Sequence, residues 1–140
     1  MDHQTKAEPG LWRAGAHTDF DCLTLVFQQD GQGGLQVCPG KEAMQEEGAH
    51  QTWTTVIPNT ETITCNIGDM LMRWSDDRLK STLHRVRMPK PEEDQGSRYS
   101  MAFFCQANQD QVIQGPLKKY APITARDYLL QRVKANFSQS

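Results

Sequence analysis

The sequence predicts an all-β fold, a sandwich or barrel of short strands followed by one C-terminal helix. Three observations carry that prediction. Apolar residues recur with a period of two, as in Ile63, Cys65 and Ile67 against Thr64 and Asn66, the spacing of a half-buried strand. Turn-forming pairs such as Gly33-Gly34, Pro39-Gly40, Pro58-Asn59 and Gly68-Asp69 cut these runs short. Helical spacing appears only near the C-terminal end, where Tyr128, Leu129, Val133 and Phe137 would form one apolar side.

The elements follow in chain order. Residues 1–9 are polar and read as a flexible N-terminus, 10–123 as the β core, and 124–137 as the helix. Gly10 to Ala16 leads into His17-Thr18-Asp19 as a first strand. Leu23 to Gln28 (LTLVFQ) is apolar on both faces, which predicts cover on both sides. Residues 29–34 form a turn, Leu35 to Cys38 a short strand, 41–51 a charged surface loop, and Trp53 to Ile57 another strand. The stretch Cys65 to Pro89 (CNIGDMLMRWSDDRLKSTLHRVRMP) reads as strand, tight turn, strand over Met70-Leu71-Met72, polar loop over Trp74 to Asp77, and strand. Thr82, His84 and Val86 then share one face, while Arg85 and Arg87 point the other way. Arg98 to Gln106 (RYSMAFFCQ) is the last strand, and Val112 to Pro122 reads as irregular. Thr124 starts the helix, with Asp127 at the capping-box position.

Composition excludes several classes. At 140 residues the chain is a single domain, and a net charge of −2 gives no bulk attraction to nucleic acid. No signal peptide and no apolar run near a membrane-spanning length appear. Cys22, Cys38, Cys65 and Cys105 show no CxxC spacing and read as small core residues in a reducing, cytoplasmic setting.

The candidate site begins with His17 and Asp19. Two residues apart on a strand, they leave the same face. With His84 from a distant strand they supply two imidazoles and a carboxylate, enough to hold one face of an octahedral Fe(II) and leave three positions open. An open three-ligand site equally suits zinc. Arg98 and Ser100 also share a strand face. A guanidinium turned inward demands an anion, and a fork beside a hydroxyl is a carboxylate receptor. The alternative is an edge arginine paired with Glu92, Glu93 or Asp94.

Together HTD, the run NIGDMLMRWSDDRLKSTLHRV and RYSMAFF resemble the Fe(II)- and 2-oxoglutarate-dependent dioxygenases of the isopenicillin N synthase-like superfamily. The resemblance runs from about Gly15 to Gln106 and implies a double-stranded β-helix, or jelly roll. It implies that His17, Asp19 and His84 bind Fe(II), and that Arg98 and Ser100 hold the distal carboxylate of 2-oxoglutarate. The expected reaction consumes O2 and 2-oxoglutarate, releases succinate and CO2, and hydroxylates, desaturates or cyclises a small organic substrate. Phe20, Asp21 and Phe104 are expected to border the substrate pocket. Family members carry N-terminal helices and a first barrel strand ahead of HxD. Only sixteen residues precede His17 here, so the chain reads as the oxygenase core of a longer enzyme. Its sheet is then expected to be covered by such a segment or by self-association. Two rivals are an oxidase of the same fold that uses no 2-oxoglutarate, and a catalytically inactive barrel that binds metal or 2-oxoglutarate.

Overall fold

A computed structural model describes residues 11–38 and 52–137. The segment 1–9 and the loop 41–51 lie outside the described residues. The elements are β1 (Trp12–His17), β2 (Leu23–Gln28), β3 (Leu35–Cys38), β4 (Thr54–Thr55), β5 (Ile63–Ile67), α1 (Asp69–Trp74), β6 (Leu83–Arg87), β7 (Ser100–Cys105), β8 (Val112–Ile113), β9 (Ile123–Thr124) and α2 (Ala125–Phe137). Two antiparallel sheets, ordered β1-β6-β3-β4 and β5-β2-β7, enclose a cleft between them. This is the jelly-roll arrangement that the motifs imply.

The run Met70-Leu71-Met72 is a helix, not a strand. A short apolar run reads either way by periodicity, and here the surroundings decide. Gly68, Asp69 and Met70 donate their N–H groups to the carbonyls of Cys22, Asp19 and Asp21, at 3.0, 2.8 and 3.1 Å. The orphan donors of a helix start are thereby satisfied by the loop after β1. Met70 is then buried against Ile113, Ala125 and Tyr128 in a small second core.

Other boundaries shift for local reasons. β1 stops at His17, so Asp19 stands in the following loop rather than on the strand. Trp53 to Ile57 contracts to β4, and the irregular stretch after Val112 contains β8, which pairs with β9. β7 begins at Ser100, with Arg98 just ahead of it. α2 starts at Ala125, and the Thr124 Oγ1 accepts the Asp127 N–H at 3.1 Å as a cap. Phe137 lies off the packed side and is 76% exposed.

Asp76 and Asp77 serve as more than a polar loop. Asp76 accepts the Leu117 and Lys119 N–H groups at 2.7 and 3.0 Å, while Asp77 meets the Lys119 ammonium and accepts from the Tyr120 hydroxyl at 2.6 Å. The segment leading to α2 is tied down by these carboxylates.

β2 is not covered on both sides. Thr24 and Gln28 face inward and are buried. Leu25 sits in register with Cys65 and Phe103 on the outer face, and Phe27 with Ile63 and Met101. Phe103, Met101 and Ile63 are 59%, 61% and 51% exposed. Among the described residues β7 has β2 as its one ladder partner, so its other edge is open.

Candidate active site

His17 closes β1 and lies opposite His84 in the β1–β6 ladder. Their rings stand 4.2 Å apart, centroid to centroid. The Nδ1 atom of His17 lies 2.8 Å from the Gly15 carbonyl, and that of His84 lies 3.0 Å from the Thr82 carbonyl. A carbonyl accepts but never donates, so each Nδ1 is the donor in its contact and each Nε2 is left to face the site. Both Nε2 atoms face the Asp19 Oδ1, at 3.8 and 3.7 Å.

Asp19 is fixed from behind. Its Oδ2 accepts from the Thr24 hydroxyl at 2.6 Å and from the Asn66 amide at 2.8 Å. Thr24 and Asn66 are register partners on the inner face of β2 and β5. Its backbone carbonyl is held by the start of α1. Oδ1 is left to complete the triad. The three donor atoms of His17, Asp19 and His84 lie within 4.8 Å of one another. Two imidazole nitrogens and one carboxylate oxygen, oriented by outer hydrogen bonds, fit a divalent metal with open positions.

Two neighbouring contacts brace this loop. The Asp69 carboxylate accepts from the Thr18 hydroxyl at 3.1 Å and from Arg132 of α2 at 2.5 Å. Asp21 is 1% exposed, and its Oδ2 lies 3.0 Å from the Thr24 hydroxyl. Burial, with the nearby charges of Asp19 and Asp69, pushes the Asp21 carboxyl above its usual range, against the lowering effect of Thr24.

An open cleft of about 670 Å³ leads from the triad between the sheets to Arg98 and Ser100. The Arg98 guanidinium donates to the Ser100 hydroxyl at 3.0 Å, the Gln28 side-chain oxygen at 3.1 Å and the Gln32 carbonyl at 3.2 Å. Burial, then the charge of Arg13, lowers its pKa. Of the three acids that the alternative names for Arg98, Glu93 instead forms a two-pronged ion pair with Arg87, at 2.6 and 2.7 Å. A second cleft of about 700 Å³ is also lined by His17 and Asp19. Phe20, Asp21 and Phe104 all border it, together with Leu129 and Arg132 of α2, and Phe104 also borders the first cleft.

The sequence reading brought together His17, Asp19 and His84, and Arg98 with Ser100. It missed Thr24, Asn66, Gln28, Asp69 and Arg13. A signal existed for three of them. Thr24, Gln28 and Asn66 are polar residues at inward positions of otherwise apolar strands, which is where a site needs partners.

A jelly roll with a His-Asp-His triad between its sheets and an arginine at the end of the same cleft defines the class of metal-dependent oxygenases. Residues 3–107 match the family model of the 2OG-Fe(II) oxygenase superfamily, and the chain belongs to that family. The 2-oxoglutarate-Fe(II) type oxidoreductase hxnY of Emericella nidulans is 34% identical over 147 residues, covering 99% of this chain and 38% of that protein. The homoarginine-6-hydroxylase 2-ODD-233 of rice is 35% identical, over 88% of this chain and 36% of that protein. A full-length Neurospora crassa protein, crystallised in complex with alpha-KG, superposes with a TM-score of 0.76 at 39% identity, covering 92% of this chain and 39% of that one. The chain thus spans under two-fifths of the length of these relatives. The family uses Fe(II), 2-oxoglutarate and O2, which favours iron over zinc at the triad. Among the described residues no helix is long and apolar enough to cross a membrane.

Proposed function

We propose that this chain carries the core of an Fe(II)- and 2-oxoglutarate-dependent oxygenase acting on a small organic substrate. The observation that carries the reading is that two clefts share His17 and Asp19, the first of them lined also by His84 and by an arginine with no carboxylate partner among the described residues. His17, Asp19 and His84 would hold the Fe(II), with Thr24 and Asn66 keeping the Asp19 Oδ1 turned toward it. Arg98 and Ser100 would receive the distal carboxylate of 2-oxoglutarate. With Fe(II) and 2-oxoglutarate held there, O2 would be the oxidant: oxidative decarboxylation of 2-oxoglutarate to succinate and CO2 would supply two of its four electrons, and hydroxylation, desaturation or ring closure of the substrate the other two.

The second cleft would hold the substrate. Phe20 and Phe104 are its aromatic walls and Asp21 part of its floor. The Neurospora crassa relative was also solved with alpha-KG and thymine, so a small planar molecule is a reasonable first candidate. Cysteines that form no disulfide suit a cytoplasmic setting. The apolar outer face of β5-β2-β7 would be covered in the working protein, by self-association or by a further segment of chain.

Anaerobic titration of the Fe(II) protein with 2-oxoglutarate tests the reading. A metal-to-ligand absorption band should grow in wild type. In Arg98→Ala it should require at least tenfold more 2-oxoglutarate, since charge-assisted hydrogen bonds worth about 1.5–3 kcal/mol are lost. Arg98→Lys should restore only part, because a point charge replaces a fork. No band in wild type would point to the oxidase or to an inactive barrel.

A further inference from the structure

The first cleft has chemistry only at its two ends. The triad lies at one end, apolar side chains such as Val26, Leu35 and Val86 line the middle, and the far end holds two guanidinium groups, Arg98 and Arg13. Arg13 lies on β1, where the β1–β6 register slips between Trp12 and Ala14. Such irregularities re-aim side chains next to sites.

Among the described residues neither arginine is paired with a carboxylate. Arg13 spends one nitrogen on the Gly96 carbonyl, at 2.8 Å, and Arg98 faces only neutral oxygens. The acids close by are engaged elsewhere. Glu93 is held by Arg87, and the Asp94 side chain accepts the Gly96 N–H at 2.8 Å. The two cations also feel one another, since Arg13 contributes to the lowered pKa of Arg98. Two like charges at the end of a half-buried cleft are unfavourable until an anion joins them. One carboxylate has two oxygens and about four acceptor directions. Arg98 and Ser100 can use some of these, which leaves others for a second fork.

We propose that Arg13 is a second anchor for the distal carboxylate of the 2-oxo acid, shared with Arg98 and Ser100. The inference rests on the cosubstrate reading above and adds a specificity: the two-arginine end selects dianionic 2-oxo acids over those that lack the second carboxylate. Arg13 acts only through that carboxylate and not through the metal.

The test compares two ligands on the anaerobic Fe(II) protein by isothermal titration. 2-Oxoglutarate carries the distal carboxylate, and 2-oxovalerate has the same carbon chain without it. Arg13→Gln should weaken 2-oxoglutarate about tenfold or more, the scale of one charge-assisted hydrogen bond, and leave 2-oxovalerate and Fe(II) binding within about twofold of wild type. Arg13→Lys should fall between. Equal losses for both acids would mean that Arg13 only supports the strand, and would overturn the proposal. So would an Arg13→Gln protein that binds 2-oxoglutarate as wild type does while Arg98→Ala does not, which would leave Arg98 as the sole anchor and the cosubstrate reading intact. If wild type binds Fe(II) but neither acid, the cosubstrate reading itself falls, and this inference with it.

Discussion

Gly68→Ala tests how the loop bearing Asp19 is seated. A Cβ at this position would lie 2.3 Å from both the carbonyl oxygen and the Oδ1 of Asp21, and 2.9 Å from its carbonyl carbon. An ordinary contact begins near 3.4 Å, so the loop must retreat by about 1 Å, which a close-packed interior resists. Overpacking of this kind costs about 1–3 kcal/mol. The retreat also stretches the bonds from the Gly68, Asp69 and Met70 N–H groups to Cys22, Asp19 and Asp21, and weakening two of them adds about 1–2 kcal/mol. A loss of about 2–5 kcal/mol should lower Tm by roughly 8–15 °C in a domain of this size. Since the same bonds fix Asp19, Fe(II) affinity should drop about tenfold or more, the usual scale for disturbing groups that orient a ligand. Gly33→Ala is the control, because the nearest atom to its Cβ would be 4.0 Å away and its effect should stay within about 0.5 kcal/mol. Calorimetric melting and anaerobic Fe(II) titration give both readouts. A Gly68→Ala protein with the melting temperature and Fe(II) affinity of wild type would refute the claim that this close approach positions Asp19.

Further outcomes follow from other contacts. His84→Ala should abolish high-affinity Fe(II) binding in an anaerobic titration, because three protein ligands leave none to spare; unchanged affinity would sink the triad. Arg87 holds the Glu93 carboxyl down at about 2. Its ion pair therefore contributes stability above the ordinary carboxylate range, and the contribution is lost as pH falls through about 2. Melting curves of wild type and Glu93→Gln should differ at neutral pH and converge in strong acid, and curves that stay apart there would contradict this origin. Phe103→Thr combined with Ile63→Thr removes exposed apolar surface from one sheet face. It should reduce light scattering by concentrated protein without lowering Tm, and unchanged scattering would show that this face does not drive association.

Which residues would come together in the candidate site was legible in the chain alone. HTD, LHRV and RYS are local patterns, and strand alternation is enough to turn His84 inward and to set Arg98 and Ser100 on one side. The all-β class was legible for the same reason, since a period of two survives in short windows. Contacts between distant segments settled the rest. Met70-Leu71-Met72 became a helix because the loop around Asp19 and Asp21 accepts its first N–H groups and because Ile113 and Tyr128 bury Met70. Asp19 left the strand and still reached the histidines, because Thr24 and Asn66, on two other strands, hold its Oδ2. Arg13 and Arg98 came to line one cleft only once β1 had paired with β6. Local propensity is written in neighbouring residues, whereas a hydrogen-bond partner tens of residues away exists only once the sheets have formed, so the triad could be read from the chain and its supports could not.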